Sequence, residues 1–512
     1  MTPPTHPDRP TPPPAWHRWV LYAIVIVAVL TRFHALSAQS LWLDEIWGLE
    51  IAAGHDAEHQ TLPVGQLLPS PPDLTETASA RPAWAVWTHL DRVTGPPGSY
   101  LLLRAWIDAF GDSESAVRSL SAICSTLTVI VLFLAVRTWA GSEPALWAAA
   151  LIAVAGPQVN AGQDARPYAP LMLLGSIALW AAMRTAVNRP ALGRTVLLTA
   201  TLLGLLLTHY FAVAAVAAVG LYGLVWPRGA PRRHLVGAVA AAGAVFTMLW
   251  GPFMLRQMAA FSPHDRAAAF LYEPGPGHVS STLWRLLTLP ASMLVDARPI
   301  PASYAVVGPL LYAAMATACL RRRRWPALWP LWFAMTVGLL AVLDLSRSTQ
   351  HLVLLRYSLL ASLAVYVAVA IMPSVHRALG RCVAAVAVAF AAWSLPTAYA
   401  PRYQDYRSLE LALRASARPG ELVVFAGPGK SYSPQILYLA ASHYAAPLAG
   451  PVLLLDAPAT PAVLRQVAGR PTVWMVADPE VRLAREWLPG YHLAAGQSWP
   501  VVGSLLRMER DG

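Results

Sequence analysis

Residues 40–54 read SLWLDEIWGLEIAAG, and in this stretch two adjacent carboxylates, Asp44 and Glu45, stand between Trp42 and Trp47. It begins a few residues past the end of the first long apolar segment. A carboxylate this close to a bilayer is costly when desolvated, so it normally has a partner, an ion or a chemical task. Two readings fit these residues alone. One is a helix N-terminus with acids in its first turn and two interfacial tryptophans beside it. The other is a general base offered to a substrate arriving at the membrane surface. Neighbouring side chains on a helix point about 100° apart, so the two acids are expected to have different tasks.

The surrounding chain has 512 residues, 56% of them hydrophobic and 13% charged, with 20 Trp and a mean hydropathy of +0.46. A soluble chain carries charge on about a quarter of its residues, so this composition predicts a polytopic membrane protein. The net charge of +11 does not point to nucleic acid. Arginines sit in short loops between apolar runs and Lys430 is the only lysine, a distribution that orients helices in a membrane. Cys124, Cys319 and Cys382 all fall in apolar runs without disulfide or metal-type spacing. Residues 1–15 form a proline-rich lead, expected to be disordered, and the apolar run after it lacks a small-residue cleavage site, as a signal anchor does.

Working outward, apolar runs occur near 17–36, 116–138, 144–158, 167–184, 195–208, 210–226, 234–254, 303–320, 325–343, 352–372 and 380–397. With the N-terminus in the cytoplasm, the inside loops hold Arg137, then Arg184, Arg189 and Arg194, then Arg228, Arg232 and Arg233. Arg321 to Arg324 and then Arg377 and Arg381 complete the series. Every second loop is therefore basic, which predicts about eleven transmembrane helices, N-terminus inside and C-terminus outside, in the plasma membrane. Residues 195–226 are one nearly unbroken apolar run of roughly 48 Å as a single helix, too long for one crossing. The expectation is two short helices hinged at His209–Tyr210, with His209 either at the interface or facing a ligand.

Three regions face outward on this topology. The first is the outer loop 37–115, with interfacial helices expected at 43–53 and at 83–92, the latter carrying Trp84 and Trp87. The second runs from about Arg256 to Ala302 and includes FSPHDR and EPGPG. The third is the tail, residues 399–512, after the transmembrane domain 16–398. In it the runs ELVVFAG, PVLLLDA and TVWMVA alternate with helical runs at 405–418, 432–443 and 460–468, the pattern of a small α/β domain. AGPGKS at 426–431 lacks the full phosphate-loop spacing and is not carried forward as a nucleotide site.

Ionisable groups gather at the outer ends of the runs. Gln163-Asp164-Ala165-Arg166-Pro167-Tyr168 reads as a helix cap, or as an Asp, an Arg and a Tyr at a cavity mouth. Arg256 follows Trp250-Gly251-Pro252, and Arg356-Tyr357 is placed about one turn inside the tenth run. An arginine there either snorkels to headgroups or meets a counter-ion, and a lipid phosphate suits a guanidinium fork.

In order along the chain stand the Asp-Glu pair, then PPxxYLLLRxW and FGDSExAxR, then QDARPY, THY and a late Arg-Tyr. Taken together over residues 37–372, these resemble the GT-C membrane glycosyltransferases, specifically the bacterial protein O-mannosyltransferases and the lipid A aminoarabinose transferase. The resemblance implies a polytopic α-helical protein of GT-C type with a small extracytoplasmic C-terminal α/β domain. It implies an inverting enzyme that moves a sugar, mannose or another hexose or a pentose, from a polyprenyl-phosphate carrier to an acceptor hydroxyl on the outer face. The acceptor class, protein, glycan or lipid, stays open. By resemblance Asp44 is the catalytic residue of the acid motif, with Glu45 orienting the loop or the acceptor. Asp164, Arg166, Tyr168, His209 and Tyr210 belong to the substrate cavity, and Arg256, Arg356 and Tyr357 to the carrier phosphate. Where the family has His-Pro-Pro, this chain has Gly95-Pro96-Pro97. No residues here have clear metal-ligand spacing, and a divalent metal assisting the phosphate is left open. The alternative class is a transporter or flippase of a lipid-linked polar substrate, which predicts internal repeats and mid-bilayer charge, neither of which is seen. A catalytically silent binding protein is the third reading.

Overall fold

The computed structural model describes residues 14–511 except 79, 188–190, 261–274, 276, 298, 322–326, 401–404, 429–432, 446–447, 449 and 482–483. Arg189, Arg322 to Arg324, the FSPHDR segment, most of EPGPG and Lys430 lie outside the described residues, as does nearly all of the N-terminal lead.

Each of the eleven apolar runs folds as helix. The chain begins with α1 (Trp16–Phe33), and the outer loop contributes α2 (Leu43–Ala52), α3 (Ala83–Thr88) and α4 (Gly98–Phe110). Then follow α5 (Glu114–Ala140), α6 (Ser142–Val154), α7 (Gly156–Gly162), α8 (Tyr168–Val187), α9 (Leu192–Thr208) and α10 (Ala212–Val225). The bundle continues with α11 (Ala230–Ala260), α12 (His278–Leu294), α13 (Tyr304–Arg321), α14 (Leu328–Arg347), α15 (Leu355–Ala370) and the helix Arg377–Trp393. Among the described residues six helices are long and apolar enough to cross a membrane, or seven if α6 and α7 form one bent span. The expected eleven exceeds this because α9, α10, the apolar part of α13 and the 17-residue helix Arg377–Trp393 are shorter than the ~20 residues of a full crossing. The molecule is a multi-pass membrane protein. Its centre is α15, whose apolar window is 89% buried, whereas α1 at 11% and α11 at 22% turn most of their apolar surface outward.

The hinge expected at His209 is present, since α9 ends at Thr208 and α10 starts at Ala212. The run expected as one span over 144–158 is instead broken, α6 and α7 meeting at 63°. Pro157 has no N–H to give the carbonyl four residues back, Ala153, and Ala155 is extended there (φ −64°, ψ 120°). Arg32 of α1 fills the gap. Its guanidinium donates to Ala153 O at 2.5 Å, Ile152 O at 2.8 Å and Ser125 Oγ at 3.0 Å. Gly162 keeps this crossing close, because a Cβ there would lie 2.9 Å from Arg32 Cγ and from Ser125 Cβ.

The tail forms a six-stranded sheet in the order β1-β3-β2-β4-β6-β5. Its parallel centre is β3 (Val452–Leu455), β2 (Leu422–Ala426) and β4 (Thr472–Ala477), joined through helices Pro434–Tyr444 and Pro461–Val467. All residues of β2 and β3 are buried, as the central strands of a covered parallel sheet are. An antiparallel hairpin, β5 (Tyr491–Trp499) with β6 (Gly503–Arg510), extends one side. The other edge is closed by β1, Leu67–Leu68, which comes from the outer loop and pairs with Leu453 and Val452. The two regions therefore share one sheet.

They share a core as well. The helix expected to lie in the interface at 43–53 is a buried wedge: Ile46, Leu49 and Ala52 of α2 pack with Leu103 and Ile107 of α4, Leu120 of α5, and Leu437 and Ala440 of Pro434–Tyr444. Glu114 at the start of α5 holds Arg407 and accepts from Tyr444 Oη at 2.6 Å, fastening the tail to the bundle. Helix α3 turns one face outward, with Trp84 64% exposed, and buries Ala85 and Val86 on the other.

Candidate active site

Three chain segments converge where α2 begins. The first is the turn entering α2, fixed by Glu45. Its carboxylate accepts from Trp42 N at 3.2 Å, Ala165 N at 2.8 Å, and Arg118 Nε and Nη2 at 2.8 and 2.6 Å. Arg118 also donates to the carbonyls of Leu36, Gln39 and Ser40. Glu45 is 1% exposed and every acceptor direction is used. It orients the loop and has no oxygen to offer an acceptor molecule.

Asp44 points elsewhere, as the helical offset requires. Its Oδ2 lies 3.3 Å from Arg166 Nη2 and 3.3 Å from Arg356 Nη1. Its own carbonyl accepts from Arg166 Nη1 at 2.8 Å. The Trp42 indole forms the floor, with the guanidinium carbons of Arg166 and Arg356 at 5.9 and 5.4 Å from its ring centre. Its Nε1 donates to Asp164 Oδ1 at 2.9 Å. Asp164 is thus a partner of Trp42 rather than a helix cap. Burial, and next the Glu45 charge, push the Asp164 carboxyl well above the usual carboxylate range.

Arg356 is in the first turn of α15 rather than a turn inside it. A cation there opposes the helix dipole, and the Asp44 carboxylate offsets this. The turn leading into α15 is set by Asp344, which accepts from Thr349 Oγ1, the His351 and Leu352 amides and His351 Nδ1, all at 2.7–2.9 Å. Two donors in the cluster are unspent: the buried Nε of Arg166 and the buried Nε of Arg356 have no hydrogen-bond partner. Asp44, Arg166 and Arg356 remain 20%, 16% and 24% exposed, so a ligand can reach them.

One wall is aromatic. Tyr357 lies under Arg356 (5.4 Å), and its ring is 6.0 Å from His209, 6.5 Å from Tyr168 and 5.4 Å from Phe211. His209 accepts from Phe211 N through Nδ1 at 3.2 Å, which leaves Nε2 as the protonated nitrogen of a neutral ring. His209 therefore lies within the cluster, its ring beside those of Tyr168 and Tyr357.

Two expected members do their work elsewhere. Tyr210 accepts from Trp250 Nε1 at 2.9 Å and donates to Gln257, whose amide holds the Leu90 and Gly95 carbonyls. Arg256 donates to Thr88 O at 2.8 Å and pairs with Asp91 at 3.3 Å on the surface. Tyr210 thus ties the α9–α10 hinge to α11, and Arg256 with Gln257 ties the outer loop to it. Conversely, Trp42, read from the sequence as an interfacial tryptophan, lies in the cluster, as do Phe211 and Tyr100, the last within electrostatic reach of Arg166 and Asp44. The signal for Trp42 was its place two residues before Asp44.

Among the described residues no three His, Cys, Asp or Glu side chains converge. Asp44 and Asp164 are the carboxylates at hand, and one oxygen of each is engaged, Asp44 Oδ2 by two guanidiniums and Asp164 Oδ1 by an indole N–H. Among the described residues these two carboxylates do not by themselves make up a metal centre.

Residues 94–252 match the family model for dolichyl-phosphate-mannose-protein mannosyltransferases. No curated protein sequence matches the chain. Among solved structures, ArnT from Cupriavidus metallidurans in the apo state is 15% identical over 97% of this chain and 98% of its own, with a TM-score of 0.60. The same protein bound to undecaprenyl phosphate gives 15% identity, 96% and 98% coverage and a TM-score of 0.58. The oligosaccharyltransferase of Archaeoglobus fulgidus, in complex with zinc and sulfate, is 12% identical over 95% of this chain and 72% of that one, with a TM-score of 0.49. Together with the family match, the likeness shows the fold: this chain is built as the GT-C membrane glycosyltransferases of the protein O-mannosyltransferase and ArnT type are.

Proposed function

We propose that the protein is an inverting glycosyltransferase that takes a sugar from a polyprenyl-phosphate carrier and places it on an acceptor hydroxyl at the outer face of the membrane. The observation that carries the reading is the meeting of Asp44 with Arg166 and Arg356 at 3.3 Å, beside two unspent guanidinium N–H groups. Arginine forks match phosphate oxygens, and a phosphodiester is the anion these donors fit. The undecaprenyl phosphate bound by the ArnT structure supports a carrier of this class. The arginine-bearing loops support an N-terminus inside and a C-terminal domain outside.

In the reaction Asp44 takes the proton of the acceptor hydroxyl while that oxygen bonds to the anomeric carbon. The bond from this carbon to the phosphate oxygen breaks, its electron pair stays on that oxygen, and polyprenyl phosphate leaves. The negative charge that grows on the phosphate meets Arg356 and Arg166, with Tyr357 beside them. Attack from the face opposite the phosphate inverts the anomeric centre. No general acid is needed, because a phosphate monoester is already a good leaving group.

The test incubates the purified full-length protein with a panel of polyprenyl-phosphate sugars, hexose and pentose, and hydroxyl acceptors of peptide, glycan and lipid type. The expected result is release of polyprenyl phosphate from one donor and a product of opposite anomeric configuration. Retention of configuration, or no turnover with any donor, contradicts the reading.

A further inference from the structure

Asp44, assigned above as the base, is held by the very groups assigned to the donor. Asp44 Oδ2 is shared by Arg166 Nη2 and Arg356 Nη1, both at 3.3 Å, and the Trp42 ring holds both guanidiniums over one surface. The contact is loose for a charge-assisted pair, which closes to about 2.7–2.9 Å when geometry is ideal. Each arginine keeps a buried Nε without a partner. By contrast Glu45, one residue away, meets Arg118 at 2.6 and 2.8 Å with every donor spent. One pair is built to stay and the other to exchange.

We propose that Asp44 occupies the carrier-phosphate subsite in the empty enzyme and is freed as a base when the donor phosphate displaces it from Arg356. This deepens the glycosyltransferase reading and rests on it. A phosphodiester brings two free oxygens to the unspent donors, so the arginines turn to it and Asp44 is left with less positive charge around it. The carboxylate is free to meet an acceptor hydroxyl only once a donor is in place, which couples acceptor activation to donor binding. After transfer Asp44 carries the acceptor's proton and no longer competes for Arg356. Loss of that proton to solvent restores the carboxylate, which returns to Arg356 and expels polyprenyl phosphate. A lipid without phosphate cannot perform the exchange.

The test titrates undecaprenyl phosphate and undecaprenol onto the full-length protein in detergent, with thermal melting to confirm folding. The wild type is expected to prefer the phosphate. Asp44→Asn and Asp44→Ala are expected to bind undecaprenyl phosphate about tenfold more tightly than wild type, the internal competitor being gone, while Asp44→Glu does not. The gain must vanish when Arg356→Gln is the background, because simple repulsion between Asp44 and the phosphate would persist there and exchange would not. Wild-type or weaker affinity in both neutral variants, or a gain that survives Arg356→Gln, overturns the exchange and leaves the glycosyltransferase reading standing. A wild type that does not distinguish phosphate from alcohol removes both.

Discussion

Asp44 and Glu45 differ by one residue and by the whole of their surroundings. Glu45 is a buried partner of Arg118, whose guanidinium also holds three carbonyls of the 36–40 segment. Removing one member of such a pair leaves an uncompensated charge inside the protein, at a cost of about 3–5 kcal/mol. Glu45→Ala is therefore expected to lower the melting temperature sharply and to reduce turnover with it, because the Ala165 amide loses its anchor and Arg166 its position. A wild-type melt checked by scanning calorimetry would contradict this role. At this scale much was legible from sequence. The separation of the two acids followed from helical geometry, and Arg356 was suspect as a cation about one turn inside an apolar run. Arg256 was misplaced because an arginine beside the outer face looks the same in sequence whether it meets a ligand or, as here, Asp91 and a carbonyl.

Among the elements, the long apolar helices and the hinge at His209 were legible because hydrophobic length and arginine-bearing loops are properties of single segments. The break between α6 and α7 was not, although Gly156-Pro157 marks it. The break survives inside the bundle because Arg32 supplies the N–H groups that Pro157 cannot. In a bilayer a carbonyl without a donor costs several kcal/mol. Arg32→Leu is expected to destabilise the protein by roughly that amount, and as α7 leads directly to Asp164, to lower turnover as well. Thermal melting in detergent checks it, and an unchanged melt would show that the carbonyls find other donors. Strand β1 and the β5–β6 hairpin were missed for a different reason. A two-residue strand has no period, and β5 is exposed along most of its length, so no apolar alternation marks it.

At the scale of the whole molecule, the tail from residue 399, read from its alternating strand and helix runs, is joined closely to the outer loop. The outer loop gives a strand to the tail's sheet, α2 is wedged into a core shared by both, and Arg407 reaches Glu114 at the head of α5. That shared core holds the α2 turn rigid, and the turn places Asp44. The remaining sides come from the bundle: the 163–167 loop brings Asp164 and Arg166, α15 brings Arg356 and Tyr357, and the α9–α10 hinge brings His209. A carboxylate from the outer loop thus meets guanidiniums from the bundle at 3.3 Å, and a sugar with a phosphate on one face and an acceptor hydroxyl on the other fits between them only when that contact opens. The central claim is that Asp44 is the base. Its most direct test is the rate at which purified protein consumes its polyprenyl-phosphate sugar at saturating donor and acceptor, wild type against Asp44→Asn. Loss of general-base catalysis predicts a fall of about 100- to 10,000-fold with the fold intact, whereas turnover at the wild-type rate would contradict the account.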